Sequence, residues 1–327
     1  MPITVERRDA KDVYNLPLFD AYIVIDVRNP EHFASGHIYT ALSFTVPPAT
    51  ATEEEQETAL VQLAMDLVDN GPEKYGTVVL YGYADGSSEA QLDWVVQRLR
   101  QLQESGGAFP RFRSNVRPTA GDLSDADWLR SALNRLCEKL HTHCTQIWLV
   151  DQGFEGFAKR FPHMIFQSDT AQVAIPPVYC CEDFLYLGSR AFKPTPAVLT
   201  AMGITHIIAA DEAAFTPQSF IDAPTTTELG FCYLRCNVPD RNDTDMGACW
   251  DATTQFIQDT AQAGGRVLLQ LHGRSRSASV AIAFYMDAMG LGCREATARL
   301  LQVCKKVDVE MTFQDQLRNR RRPALVM

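Results

Sequence analysis

The chain has 327 residues and a formal net charge of −10, long enough for about two domains and too acidic for a broad nucleic-acid-binding surface. Its 46% hydrophobic and 21% charged residues are ordinary globular composition, and it has no apolar run of the ~20 residues a membrane span needs. The amino-terminal stretch MPITVERRDAKDVYN lacks the apolar core of a secretory signal, and the nine cysteines are odd in number and scattered. Reduced thiols, a cytoplasmic location and no cofactor are the resulting expectations.

Three short apolar, β-branched runs in the first half predict buried strands: Ala21–Val27, Gly76–Tyr81 and Gln146–Val150. Between them, Thr58–Asp69 and Glu89–Leu102 carry apolar residues at spacings of three and four, the period of an amphipathic helix. The acidic run Thr52–Glu57 reads as a solvated helix start, where carboxylates meet the positive end of the dipole. Ser105–Gly121, with Arg111, Arg113 and Arg117, is rich in Gly, Pro and Ser and reads as a loop. His141, His143 and Cys144 lie just before a strand without a second ligand pair, so no metal site is expected.

The polar, then proline-containing stretch Gln167–Pro177 marks a linker, drawn at residues 169–177, between domains at 1–168 and 178–322. A second strand–helix alternation follows. Strands are expected at Phe184–Leu187, Ile204–Ala209, Phe231–Val238 and Arg266–Leu271. Helices are expected at Pro196–Met202, Trp250–Ala263, Ser277–Met289 and Arg294–Lys306. Both halves therefore predict the α/β class with a largely parallel sheet.

One segment carries chemistry. In Val267–Ser277 a strand feeds a tight turn that opens a helix. Backbone N–H groups of such a turn converge, and the helix N-terminus adds its positive end, so the geometry favours an anion. The candidate phosphate-binding residues are Gln270, Leu271, His272, Gly273, Arg274, Ser275, Arg276 and Ser277. Gly273 permits close backbone approach, and the Arg276 guanidinium offers a planar fork to two phosphate oxygens.

This segment resembles the signature loop of cysteine-dependent protein tyrosine phosphatases of the dual-specificity branch, whose pattern is H-C-x-x-G-x-S-R-S. Gly273, Ser275, Arg276 and Ser277 match it, while Gln270 stands at the cysteine position and Leu269 at the histidine position. Phe184–Ser189, Leu199–Ile208, Ala283–Met286 and Phe313–Leu317 resemble further motifs of that family in the same order. The resemblance implies a dual-specificity-phosphatase-like α/β domain. It also implies a general acid at Asp240, with Asp243 and Asp245 as neighbouring alternatives.

Ile25–Arg28, Phe33, Gly36–Ile38 and Ala41 resemble the rhodanese pattern D-V-R…F…G-H-I…A, in which Gly36 is read as allowing a turn. Active rhodaneses carry a cysteine directly after the next core strand, where this chain has Gly82. Trp148–Phe157 with Phe161-Pro162 resembles the segment closing the rhodanese-like domain of mitogen-activated protein kinase phosphatases. The domain order therefore resembles those phosphatases, and in particular their nucleophile-lacking, serine/threonine/tyrosine-interacting-like relatives.

In the kinase phosphatases a basic cluster on the rhodanese-like domain grips the kinase. The matching stretch here, Ala41–Thr52, has no Lys or Arg, and Arg98 and Arg100 lie two apart on a helix and do not share a face.

With an uncharged carboxamide in place of the thiolate, the resemblance implies a protein that binds phosphoproteins or protein kinases without hydrolysing them. The alternatives are a phosphatase that uses His272 as its nucleophile and a structural scaffold whose loop is kept for fold stability and binds no phosphate. None of these readings involves a nucleic acid, a membrane or a metal.

Overall fold

The computed structural model describes residues 2–16, 21–69, 76–104, 143–167, 179–188, 195–209, 225–226, 230–236, 244–271, 274–304 and 307–320. The chain divides into two compact units, Met1–Gln172 and Val173–Met327. Residues 169–177, read as the linker, and the Arg-containing stretch 105–121 lie outside the described residues.

In the first unit the described elements are β1 (Thr4–Arg8), α1 (Ala10–Asn15), β2 (Tyr22–Asp26), α2 (Pro30–Ser35), β3 (His37–Ile38), β4 (Ala41–Ser43), α3 (Glu53–Asp69), β5 (Thr77–Tyr81), α4 (Glu89–Glu104), β6 (Gln146–Val150), α5 (Gly153–Arg160) and β7 (Ile165–Phe166). Five strands form a parallel sheet in the order β1-β6-β5-β2-β4. Its central strands are nearly continuous apolar runs, as a sheet covered on both faces requires. On one face Ile25, Leu80 and Ile147 pack with Leu63 of α3 and Val95 and Leu99 of α4. Residues one position along the strands, such as Val24 and Val79, are equally buried.

Helix α3 starts at Glu53, within the acidic run read as a helix start and ahead of the apolar period at Thr58, because Thr52 and Glu55 form a reciprocal cap. The Thr52 N–H donates to Glu55 Oε2 at 2.7 Å and the Glu55 N–H to Thr52 Oγ1 at 3.3 Å. Strand β1, TVERR, has no apolar alternation to reveal it. It is an edge strand of exposed and half-buried residues held by backbone pairing to β6.

The second unit contains β8 (Tyr179–Glu182), β9 (Leu185–Leu187), α6 (Pro196–Ala201), β10 (His206–Ala209), β11 (Thr225–Thr226), β12 (Cys232–Arg235), α7 (Gly247–Gln262), β13 (Val267–Gln270), α8 (Arg274–Met289), α9 (Cys293–Val303) and α10 (Met311–Asn319). The sheet order is β11-β12-β10-β13-β9-β8, with β12, β10, β13 and β9 parallel and the two outer strands antiparallel. Helix α8 is buried along nearly its whole length from Ser277 to Met286 and contacts α7, α9 and α10. A helix apolar all round is one enclosed on every side. Helix α7 begins at Gly247, three residues before the expected start, because Asp245 Oδ1 accepts from the Gly247 N–H at 2.9 Å.

No helix among the described residues is long and apolar enough to cross a membrane.

Candidate functional site

Strand β13 lies between β10 and β9, with Gln270 opposite Ala209 at its carboxyl end. Crevices beyond the carboxyl ends of parallel strands are where open α/β sheets bind ligands. The strand-to-helix turn is short, since α8 already begins at Arg274. His272, Gly273 and the Arg274 side chain lie outside the described residues, as do Asp240 and Asp243.

The described part of the loop is tightly fixed. Ser277 Oγ donates to the Leu271 carbonyl at 2.8 Å, closing one end of the turn on the other. Ser279 Oγ donates to the Arg276 carbonyl at 2.8 Å and accepts from Trp250 Nε1 at 3.1 Å, which ties the first turn of α8 to α7. Ser275 Oγ accepts from the Glu310 N–H at 2.9 Å, which ties the same turn to α10. Arg276 is only 3% exposed. A permanent positive charge at a helix N-terminus suits a phosphate dianion.

The Gln270 carboxamide lies against the backbone that follows β9. The Gly188 N–H donates to the Leu269 carbonyl at 2.9 Å. A Cβ at position 188 would fall 2.2 Å from Gln270 Oε1. Glycine at 188 is therefore what gives Gln270 its space, and Oε1 is shielded from solvent. Leu269, at the position of the family's histidine, is fully buried and belongs to the hydrophobic core.

One thiol, Cys249, lies within the field of this arginine and is hydrogen-bonded to a second, Cys236. Cys236, just after β12, and Cys249, in the first turn of α7, are both buried. A hydrogen bond with Cys236, reinforced by burial, pushes the Cys249 thiol well above its ordinary pKa, against the opposing pull of the Arg276 charge. A nucleophilic thiol needs the opposite shift, so Cys249 stays a neutral core residue.

Of the expected acid candidates only Asp245 is described, and its carboxylate caps α7. Gln316, noticed in the sequence only as part of a motif, holds the segment before it. Its Nε2 donates to the Thr244 carbonyl at 2.8 Å and its Oε1 accepts from the Met246 N–H at 2.9 Å. A cleft of about 430 Å³ beside this segment is lined by Asp245, Trp250, Asp251, Asp315, Gln316 and Arg320, with no residue of the loop. Among the described residues no group of three or more His, Cys, Asp or Glu side chains could hold a metal.

In the first unit Asp26 and Arg28 pair with each other and with nearby backbone. Arg28 Nη2 stands 2.7 Å from Asp26 Oδ2, with exposures of 3% and 0%, and also donates to the Gly36 carbonyl at 2.7 Å. The guanidinium lies 3.6 Å from the Phe154 ring centroid. Gly36 is extended, with φ 163°, and its need is spatial, since a Cβ would stand 3.3 Å from Ile165 Cγ2. At Gly82 a Cβ would meet Ser88 Cβ at 2.3 Å, so the position expected to carry a sulfur-bearing cysteine has no room for a side chain. Arg98 donates to Gln56 and Gln101, and Arg100 reaches the Ile3 carbonyl, so the two arginines face different partners.

Residues 185–322 match the model of the dual specificity phosphatase catalytic domain, and residues 9–114 that of the rhodanese-like domain. A probable rhodanese domain-containing dual specificity protein phosphatase from Dictyostelium discoideum is 24% identical over 303 residues, 85% of this chain and 61% of that protein. The human serine/threonine/tyrosine-interacting protein is 35% identical over 120 residues, 35% of this chain and 51% of that protein. The crystal structure of the human tyrosine phosphatase-like serine/threonine/tyrosine-interacting protein is 30% identical and covers 43% of this chain and 93% of its own, with a TM-score of 0.37. The chain spans 61% and 51% of the lengths of the two curated relatives.

Proposed function

Because this chain joins a rhodanese-like domain to a domain of the dual specificity phosphatase family, we propose that it is a pseudophosphatase, binding phosphoproteins or protein kinases through its phosphate loop without dephosphorylating them. The observation that carries the reading is Gln270 at the carboxyl end of β13, followed after one turn by the buried Arg276. An amide is neutral and a poor nucleophile. Removing the nucleophile from a catalytic set elsewhere costs roughly six powers of ten in turnover, about 8 kcal/mol of barrier. Phosphate retention does not suffer in the same way, because an amide N–H donates to a dianion that a thiolate would repel. A charge-assisted bond of that kind is worth about 1.5–3 kcal/mol.

Several relatives carry the name phosphatase. Applied to this chain, that activity requires another nucleophile. The neutral, hydrogen-bonded thiol of Cys249 is poorly suited to the task, which leaves His272. The first unit acts in this reading as a binding module, because sulfur transfer needs a persulfide-bearing thiol that Gly82 does not supply.

Phosphopeptide affinity of the full chain and of Arg276→Ala, beside turnover of a small aryl phosphate, tests the proposal. Binding that disappears in Arg276→Ala, with no turnover, supports it. Arg276→Lys, which keeps the charge and loses the fork, should bind with intermediate affinity. Turnover that persists in purified protein and vanishes in His272→Ala would replace it with the phosphatase reading.

A further inference from the structure

The phosphate loop has a rim supplied by a distant part of the chain. The Glu310 N–H donates to Ser275 Oγ at 2.9 Å, fixing the start of α10 against the first turn of α8. Glu310 is the residue that precedes α10, so Asp308 to Met311 is held beside the loop by one backbone bond and by the buried side chain of Val309.

The other side chains of this short segment face solvent. Asp308 and Glu310 are exposed, and Met311 is 76% exposed, more than any other exposed large hydrophobic residue described. A single exposed methionine needs no explanation by itself. Here it follows two exposed carboxylates on a segment tied to a loop suited to a dianion.

Charge logic then separates the possible peptides. Arg276 attracts the phosphate, while Asp308 and Glu310 attract a cation and repel a second anion alongside it. Neighbouring Cα atoms lie about 3.8 Å apart, so the residues adjoining the phosphoresidue come within reach of side chains anchored at the loop edge. The flexible thioether of Met311 suits an adaptable apolar contact.

We propose that Asp308, Glu310 and Met311 form a specificity rim that selects phosphopeptides with a basic and an apolar residue next to the phosphoresidue and rejects those with an acidic or second phosphorylated neighbour. The inference rests on the anion-binding reading of the loop.

The test uses the full chain and labelled phosphothreonine peptides that differ only at the flanking positions: Arg with Leu, Glu with Leu, Arg with Ser, and a doubly phosphorylated form. The Arg–Leu peptide should bind about three- to tenfold tighter than the Glu–Leu peptide, the scale expected of exposed charge pairs. Asp308→Asn with Glu310→Gln should bring that ratio close to one; both substitutions keep the backbone N–H that holds Ser275. Met311→Ser should narrow the gap between the Leu and Ser peptides and leave the Arg-to-Glu ratio in place. Equal affinity for Arg- and Glu-flanked peptides, with Arg276→Ala abolishing both, overturns the rim and leaves the loop reading standing. Binding of no peptide, or binding indifferent to Arg276→Ala, overturns both.

Discussion

Gln270→Cys asks directly whether the loop is competent. The carboxamide fills the space that Gly188 leaves, with Oε1 2.2 Å from where a Cβ at 188 would stand. A shorter thiol fits there without a clash. It would sit at the end of β13, within the turn that opens α8 and leads to the buried Arg276. An ordinary thiol has a pKa of about 8.5, and helix N-termini and cationic neighbours lower it to about 3.5–7.5. The helix end contributes about 0.3–2 kcal/mol of that shift, about 0.2–1.5 pKa units, and the guanidinium supplies the remainder. We expect the introduced thiol to titrate below about 7.5, read from the pH dependence of its alkylation rate. Aryl phosphate turnover should rise by at least ~100-fold over the unmodified chain, a small part of the roughly 10⁶ that a nucleophile is worth. Leu269 in place of the family's histidine limits the gain. A thiol that alkylates with a pKa at or above about 8.5 would refute the claim that this loop gathers positive potential. A lowered pKa without turnover would instead place the defect in the proton donor.

The remaining predictions concern packing and charge. Gly188→Ala should cost about 1–3 kcal/mol in urea unfolding, because its Cβ overlaps Gln270 Oε1, and less in the Gln270→Cys background. Gly82→Cys should not create sulfur transfer from thiosulfate and should lower stability by about 1–3 kcal/mol, since the new side chain meets Ser88 at 2.3 Å. Asp26→Asn should cost about 3–5 kcal/mol, because it strands the buried Arg28 guanidinium, whose pKa the Asp26 partnership raises against the lowering effect of burial. Burial raises the phenol pKa of Tyr81, Tyr186 and Tyr285 above the usual value near 10. Between the unfolded and folded values the native state holds protons that the unfolded state has lost. That stability is complete below about pH 10 and is lost as pH rises above it, so phenolate absorbance from these three should appear only as the chain unfolds.

Much of the fold was legible because the central strands are apolar runs too short for helices, as in Ile25, Leu80 and Ile147, while the covering helices carry a 3.6-residue period. Element ends were less legible because caps set them. Thr52 with Glu55, and Asp245 with Gly247, extend their helices beyond the apolar pattern. Strand β1 is held by backbone pairing to β6, and its exposed and half-buried, largely charged side chains leave no mark that a hydrophobicity pattern can detect. At the loop, the sequence names Gln270, Ser275, Arg276 and Ser277. The contribution of Gly188, Glu310 and Trp250 depends on contacts across 29 to 82 positions, which spacing along the chain does not encode.

The two units lack a cysteine at the family position in physically different ways. Around Gly82 the space is closed: Ser88 occupies the place of a side chain, Ser88 Oγ accepts from the Tyr83 N–H at 3.2 Å, and a Cβ at Gly153 would stand 2.5 Å from the Gly82 carbonyl. Restoring a cysteine there would require the loop to be rebuilt. Around Gln270 the described contacts are intact, with Gln270 at the cysteine position and Leu269 at the histidine position. The Ser277-to-Leu271 closure, the Ser275 tether to α10 and the enclosed arginine are all in place. Keeping a guanidinium at 3% exposure carries a desolvation cost that an apolar residue in the same core would avoid. A loop kept only for packing has no use for that charge, whereas a loop that receives phosphate depends on it. Replacing Arg276 with Met separates these cases. If packing alone retains the arginine, the variant should be as stable as the parent or more so and bind phosphopeptides unchanged. If the loop works as an anion seat, stability should hold while binding is lost.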